Sequence, residues 1–240
     1  MLEEAIEAFL RQDYEGEKEL VVLNDFDQQV LRFEHPEVRV INTPTRFATI
    51  GEKRNAAIAA CSHDLIAVWD DDDICLPHRL SYSMKSYDPE LRFYKGNCVF
   101  MYQYGRIKEI RNQRPHAASL WHRSLFNEVG GYAEIDSGED KDLELRFWRV
   151  IPYREFPIDD HDVYYIYRWW ATGSYHLSQP PIANNPDGPP HERILAYAMQ
   201  EIRHGRAPTG FIELRPNWSA DWPAVAAEFL SGQPTMPSPA

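Results

Sequence analysis

An apolar run, Leu65-Ile66-Ala67-Val68-Trp69, ends on four consecutive aspartates, Asp70 to Asp73, and no other stretch limits the fold as much. The run reads as a buried strand. Pro77, just beyond the aspartates, suits the first turn of a helix. Unit charges about 4 Å apart repel by roughly 4 kcal/mol at an effective dielectric near 20. A hard divalent cation turns that repulsion into attraction, and carboxylate oxygens suit magnesium or manganese. Ligands of open α/β sheets bind beyond the carboxyl ends of the strands, which is where this cluster falls. The plain alternative is a solvated turn in which one aspartate caps the following helix. An EF-hand calcium loop is excluded, because Ile74 stands where an oxygen ligand is required and Cys75 where a glycine is required.

The surrounding elements fit a layered α/β chain. Leu2, Ile6, Phe9 and Leu10 have helical spacing and predict an amphipathic helix over residues 2–12. Strands are predicted at Glu19–Leu23, ending at Asn24-Asp25, and at Val38–Ile41, and an alanine-rich helix from Glu52 to Ala60. Phe93-Tyr94, Val99–Tyr102 and Ile107–Ile110 read as antiparallel strands around a turn at Tyr104-Gly105. Residues 116–123 carry no clear signal. A short helix, Ser124–Val129, stops at Gly130-Gly131, and another runs from about Lys141 to Val150. Asp162 to Trp170 reads as an aromatic-rich strand, Pro180 to Pro190 as a loop, and residues 191–204 and 223–230 as helices. The tail, Gly232 to Ala240, is predicted to be disordered.

The 240 residues suffice for one large domain or one with an appendage. A net charge of −12 argues against a nucleic-acid partner. No apolar run reaches the roughly 20 residues of a membrane span, and the N-terminus lacks the basic-then-apolar pattern of a signal peptide. Cys61, Cys75 and Cys98 lack zinc spacing and read as free thiols of a reducing, cytoplasmic compartment.

Taken in order, these pieces resemble the family 2 glycosyltransferases, which have the GT-A fold. Asn24-Asp25 resembles the acidic end of that family's second strand. Gly51-Glu52-Lys53-Arg54-Asn55-Ala56-Ala57 is similar to its Gly-x-x-x-Arg-Asn-x-Gly helix, with Ala57 in place of the last glycine. Asp70 to Asp73 followed by Pro77 resembles its Asp-x-Asp-Asp signature, and Val129-Gly130-Gly131-Tyr132 and Gly138-Glu139-Asp140 resemble its Gly-Gly-aromatic and Glu-Asp elements. The match covers roughly residues 2–150. One departure is expected to matter: the family opens with a central strand ahead of the first helix, whereas this chain starts inside that helix. The sheet is therefore expected to have a hole in its middle unless another segment fills it.

The resemblance implies a GT-A (Rossmann-like) mixed α/β sheet flanked by helices over 1–178, a C-terminal loop and helical extension over 179–231, and a tail over 232–240. It implies an inverting, hexosyltransferase-type enzyme with a nucleotide-sugar donor, a glycan or small-molecule acceptor, and Mn2+ or Mg2+. Asp72, Asp73 and His176 would hold the metal. Asp70, Asp71, Asp25 and Arg54 would bind the donor, although strand periodicity turns Asp71 away from Asp70 and Asp72. Asp25 would hold the base and Arg54 would fork onto the diphosphate. Asp140 would be the general base, with Glu139 beside it at the acceptor; the plain reading of Asp140 is a helix cap. Asn55 is expected to bond backbone near the aspartates. Tyr164, Tyr165, Tyr167, Trp169 and Trp170 read as core packing rather than a sugar platform. Two rival readings are a nucleotidyltransferase and an inactive relative that binds sugar or a partner protein.

Overall fold

The structure is a computed structural model that describes residues 1–169 and 190–232. Helix α1 (Leu2–Leu10) carries Glu3 and Glu4 in its first turn, where the helix dipole favours negative charge, and buries Ala5, Ile6, Ala8 and Phe9. Strands β1 (Leu20–Asn24), β2 (Gln29–Arg32) and β3 (Val38–Asn42) follow, then α2 (Ile50–Ala60), β4 (Leu65–Ala67), β5 (Ile74–Cys75) and α3 (Arg79–Ser86). Next come β6 (Phe93–Lys95), β7 (Val99–Gln103), β8 (Arg106–Arg111), β9 (Ser119–His122), α4 (Arg123–Glu128) and α5 (Glu139–Val150). The described chain closes with β10 (Tyr165–Arg168), α6 (Pro190–Arg203), β11 (Gly210–Glu213) and α7 (Trp222–Leu230).

The strands form a mixed set: β1 pairs parallel with β3, β4-β9-β6 is antiparallel, β5-β10-β7-β8 is mixed, and β11 lies parallel to β2. Trp121, Phe93, Phe100, Phe147 and Tyr165 are fully buried in the main core. A smaller cluster, including Ile6, Phe9, Leu20, Val38 and Leu80, packs α1 against β1 and β3. The β7–β8 hairpin turns at Tyr104 and Gly105, both with positive φ, the backbone that a two-residue hairpin loop of matching twist requires.

The expected hole is present. Among the described residues β1 pairs with β3 and β4 with β9, and β1 and β4 are not hydrogen-bonded to each other. Between them lies a cavity of about 390 Å³, bounded by Leu20 and Val21 of β1, Leu65 to Ala67 of β4, and Ala57 and Ile58 of α2.

Several elements depart from expectation. The strand before the aspartates ends at Ala67; the Val68 N–H still bonds the Ser119 carbonyl of β9 at 3.2 Å, and beyond it the Trp69 indole donates to the Ala5 carbonyl at 3.0 Å. Pro77 lies ahead of α3 rather than within its first turn. Strand β6 pairs with β9 and not with the β7–β8 hairpin. The loop at Pro180 to Pro190 and the tail fall almost wholly outside the described residues.

Candidate active site

The acidic loop is built by three elements. Strand β4 delivers it, β5 carries it away, and β10 holds it from the side. Asp73 is buried. Its Oδ2 accepts the Tyr165 hydroxyl at 2.7 Å and its Oδ1 accepts the Arg168 backbone N–H at 2.7 Å. Arg168 also donates from Nε to the Asp72 carbonyl and from a terminal nitrogen to Glu4 in α1, both at 2.5 Å. The buried Arg79 guanidinium donates to the carbonyls of Val68 and, at 2.6 Å, Ala117, and it lies 4.4 Å from the Trp69 ring centroid. These bonds fix a turn that its own charges would otherwise open.

Carboxylate oxygens of Asp70, Asp72 and Asp73 lie within 4.8 Å of one another. Burial raises the Asp72 carboxyl above the usual range, and the charges of Asp73, Asp71 and Asp70 add to the rise. Burial raises Asp73 as well, against the hydrogen bonds from Arg168 and Tyr165. Three hard anionic oxygens whose ionised forms are mutually unfavourable fit Mg2+ or Mn2+. Asp71 is exposed and stands outside that group, as the alternation argument expected, although the loop is a bend and not a strand.

Helix α2 carries the next set. Thr49 caps it, accepting the Glu52 N–H at 3.1 Å, while Glu52 reaches back to the Ala48 N–H at 2.8 Å, a reciprocal arrangement close to a capping box. Gly51 is required by contact: a Cβ there would lie 1.8 Å from the Ala133 carbonyl oxygen. Asn55 exchanges two bonds of 2.9 Å with the Tyr132 backbone. Its partner is thus the Gly130-Gly131-Tyr132 turn and not the backbone at the aspartates, which corrects the expectation. One helical turn of α2 therefore seats Arg54. Its Nε lies 3.2 Å from Glu139 Oε1, and a terminal nitrogen lies 3.6 Å from Asp70 Oδ1. Burial opposes its charge, but Asp70, Tyr132, Glu139 and Asp140 outweigh burial and hold the guanidinium protonated.

Helix α5 brings the last pair. Gly138, with φ +78°, is its N-cap residue, so Asp140 is not the cap but lies in the first turn, accepting the Lys141 N–H at 2.7 Å. Glu139 is buried, and burial raises its carboxyl against the pull of Arg54. The Tyr167 hydroxyl is pushed up by burial and then by Asp73, Asp72, Asp70 and Asp140, so Asp140 and the acidic loop act on one side chain.

Asp25 occupies a neighbouring pocket. It is buried at the end of β1, where Lys53 Nζ sits 2.6 Å from Oδ1 and the Phe47 N–H bonds Oδ2 at 3.2 Å. A cavity of about 310 Å³ opens here, lined by Asp25, Phe26, Phe47, Lys53 and, from α6, Leu195. His176 and Trp170 lie outside the described residues. Tyr164 and Tyr165 are buried as expected, while Tyr167 and Trp169 stack with ring centroids 5.9 Å apart. Tyr165 does more than pack, since its hydroxyl holds Asp73. Sequence reasoning also missed Arg79 and Arg168, whose partners are brought close only by the fold.

Comparison with known proteins gives the family and the fold. The model of glycosyl transferase family 2 matches residues 1–133. The chain belongs to that family, and its mixed α/β architecture is GT-A-like. No curated protein matches the chain. Among solved structures, the mannosyltransferase PcManGT from Pyrobaculum calidifontis, in complex with GDP-Man and Mn2+, is 15% identical with TM-score 0.52, over 98% of this chain and 72% of that one. TarS 1–349 from S. aureus in complex with UDP-GlcNAc is 17% identical with TM-score 0.51, over 82% and 67%. The chain spans 56% of another TarS 1–349 structure and 41% of the TarS chain. No helix among the described residues is long and apolar enough to cross a membrane.

Proposed function

We propose that this chain is an inverting glycosyltransferase that moves a sugar, of hexose type, from a nucleoside-diphosphate donor to an acceptor hydroxyl on a glycan or small molecule. The observation that carries this reading is Arg54. One guanidinium contacts both Asp70 of the acidic loop and Glu139, the neighbour of the candidate base Asp140, so the acidic cluster and the start of α5 share one partly buried cation. The donor complexes of PcManGT and TarS support the donor class.

Asp70, Asp72 and Asp73 are the residues that would hold Mg2+ or Mn2+. A divalent ion there supplies Lewis-acid neutralisation of charge on the leaving diphosphate. Arg54, fixed in its charged form, offers donors to phosphate oxygens at the same mouth. The Asp25 pocket, with Phe26 and Phe47, receives the base. Asp140, half-buried, accepts the acceptor's proton as its oxygen attacks, in a single displacement that inverts the anomeric centre. Glu139 is held by Arg54 and faces the acceptor. A second reading, binding without turnover, is favoured by the cavity between β1 and β4, which leaves the sheet unpaired beneath the acidic loop.

The test is Asp72→Ala. Metal-dependent affinity for UDP or GDP should be lost, and affinity that is equal with and without manganese in both proteins would contradict the reading.

A further inference from the structure

Behind Arg54 runs a buried polar chain that the chemistry above does not use. Burial raises the Tyr132 hydroxyl above its ordinary range against the pull of Arg54, whose guanidinium lies 5.7 Å from the ring centroid. The same hydroxyl lies 2.5 Å from His116 Nε2. His116 Nδ1 lies 2.9 Å from Glu144 Oε1, and Lys95 Nζ sits 2.5 Å from that same oxygen. Tyr132, His116 and Lys95 are all buried, at 3%, 6% and 6% exposure, so water does not complete these bonds.

One set of bond directions satisfies every group in the chain. Lys95 and His116 hold the Glu144 carboxyl below its usual range against burial, so it is ionised and only accepts. His116 must therefore donate from Nδ1. Burial pushes the imidazole down from its ordinary value, so Nε2 carries a lone pair and accepts. The Tyr132 hydroxyl is the group facing that lone pair and must spend its proton there. That bond fixes the ring against which the Arg54 guanidinium lies. The opposite tautomer would set the Nδ1 lone pair against the Glu144 carboxylate, acceptor against acceptor.

We propose that His116, seated on Glu144, is a positioning residue that fixes the Tyr132 side chain and so holds Arg54, which packs against that ring, toward the gap between Asp70 and Glu139, where the donor diphosphate binds. The reasoning rests on the proposed donor site. A guanidinium held beside a fixed tyrosine ring on one side and by carboxylates on the other loses little freedom when phosphate arrives, which is the benefit of preorganisation. Neither His116 nor Glu144 touches the substrate in this account; they act through Tyr132.

The experiment compares wild type with Tyr132→Phe, His116→Phe and His116→Gln by calorimetric titration with UDP, GDP and the corresponding nucleosides, with manganese present. Tyr132→Phe removes one atom, so it keeps the test open if a His116 variant fails to fold. Tyr132→Phe and His116→Phe should weaken the preferred diphosphate about tenfold, the scale of one hydrogen bond to a charged group. The nucleoside should be unaffected. His116→Gln, whose amide can both donate to Glu144 and accept from Tyr132, should recover much of the loss. In wild type, nitrogen NMR should find the His116 proton on Nδ1. A proton on Nε2, or unchanged diphosphate affinity in Tyr132→Phe, overturns the positioning role alone. Absence of diphosphate binding by folded wild type overturns the donor site and the positioning role with it.

Discussion

Asn55 and Tyr132, 77 positions apart in the chain, exchange a pair of hydrogen bonds, each 2.9 Å long, from one amide side chain to one residue's backbone. The pair locks α2 to the Gly130-Gly131 turn. Gly131 has φ +75°, and a Cβ there would come within 2.9 Å of the Asn55 oxygen. The Arg-Asn and Gly-Gly-Tyr motifs are thus two halves of one joint. Asn55→Ala should cost about 1–3 kcal/mol, because it strands a backbone donor and acceptor that are largely shielded from water. Thermal or denaturant melting measures it, and a loss below about 0.5 kcal/mol, the size of an ordinary surface substitution, would contradict the joint.

Asp140 lies in the first turn of α5 with one oxygen on the Lys141 N–H, and Gly138 is the N-cap residue. Asp140→Asn keeps an acceptor for that N–H and removes the base. Donor affinity should stay within about twofold, while transfer falls by about 10²-fold or more, the usual contribution of a general base. Near-normal transfer would leave Asp140 with a helix-terminal role only.

The acid sensitivity of the fold has a defined sign. His116 is held neutral by burial, so its folded pKa lies below the ordinary 6.5. Between that lowered value and 6.5 the unfolded chain binds more protons than the folded one, so stability falls as pH falls below 6.5. The groups that face the ring are Glu144, Lys95, Tyr132 and Arg54. Glu144 is itself lowered and loses its contribution only in the carboxylate range, well below this window. Asp72 and Asp73 are raised and act in the opposite direction, with stability falling as pH rises. Subtracting His116→Gln from wild type removes their shared contribution. The difference in stability should shrink below pH 6.5, with a slope of at most about 1.4 kcal/mol per pH unit. A difference independent of pH between 5 and 7.5 would show that His116 is not kept neutral.

How much of this was legible in the sequence depends on where each contact originates. The acidic loop is a local event, an apolar run meeting like charges, and it stood out before any fold was known. Helix α1 was legible from the spacing of Leu2, Ile6, Phe9 and Leu10. Strands β2 and β11 were not, because they are largely exposed and pair across about 180 positions, so neither carries an alternating pattern. The strand before the aspartates was read two residues too long, since Val68 and Trp69 are apolar enough to extend it, while in the fold the Val68 carbonyl accepts from Arg79 and the Trp69 indole turns to α1. Asp25 was legible as a strand-end acid, but its pairing with Lys53 was not. His116 left no trace, because its meaning lies entirely in Tyr132 and Glu144, which reach it from other elements. A gap in the middle of the sheet was expected from the order of the motifs, and a cavity lies between β1 and β4.

The central claim is a metal-bridged diphosphate site at the acidic loop. Calorimetric titration of the purified chain with UDP and GDP, first with manganese and then with chelator, tests it most directly. The account expects one of the two nucleotides to bind with manganese and to lose that binding with chelator. A well-folded protein that binds neither nucleotide, or binds one equally well without metal, would contradict it.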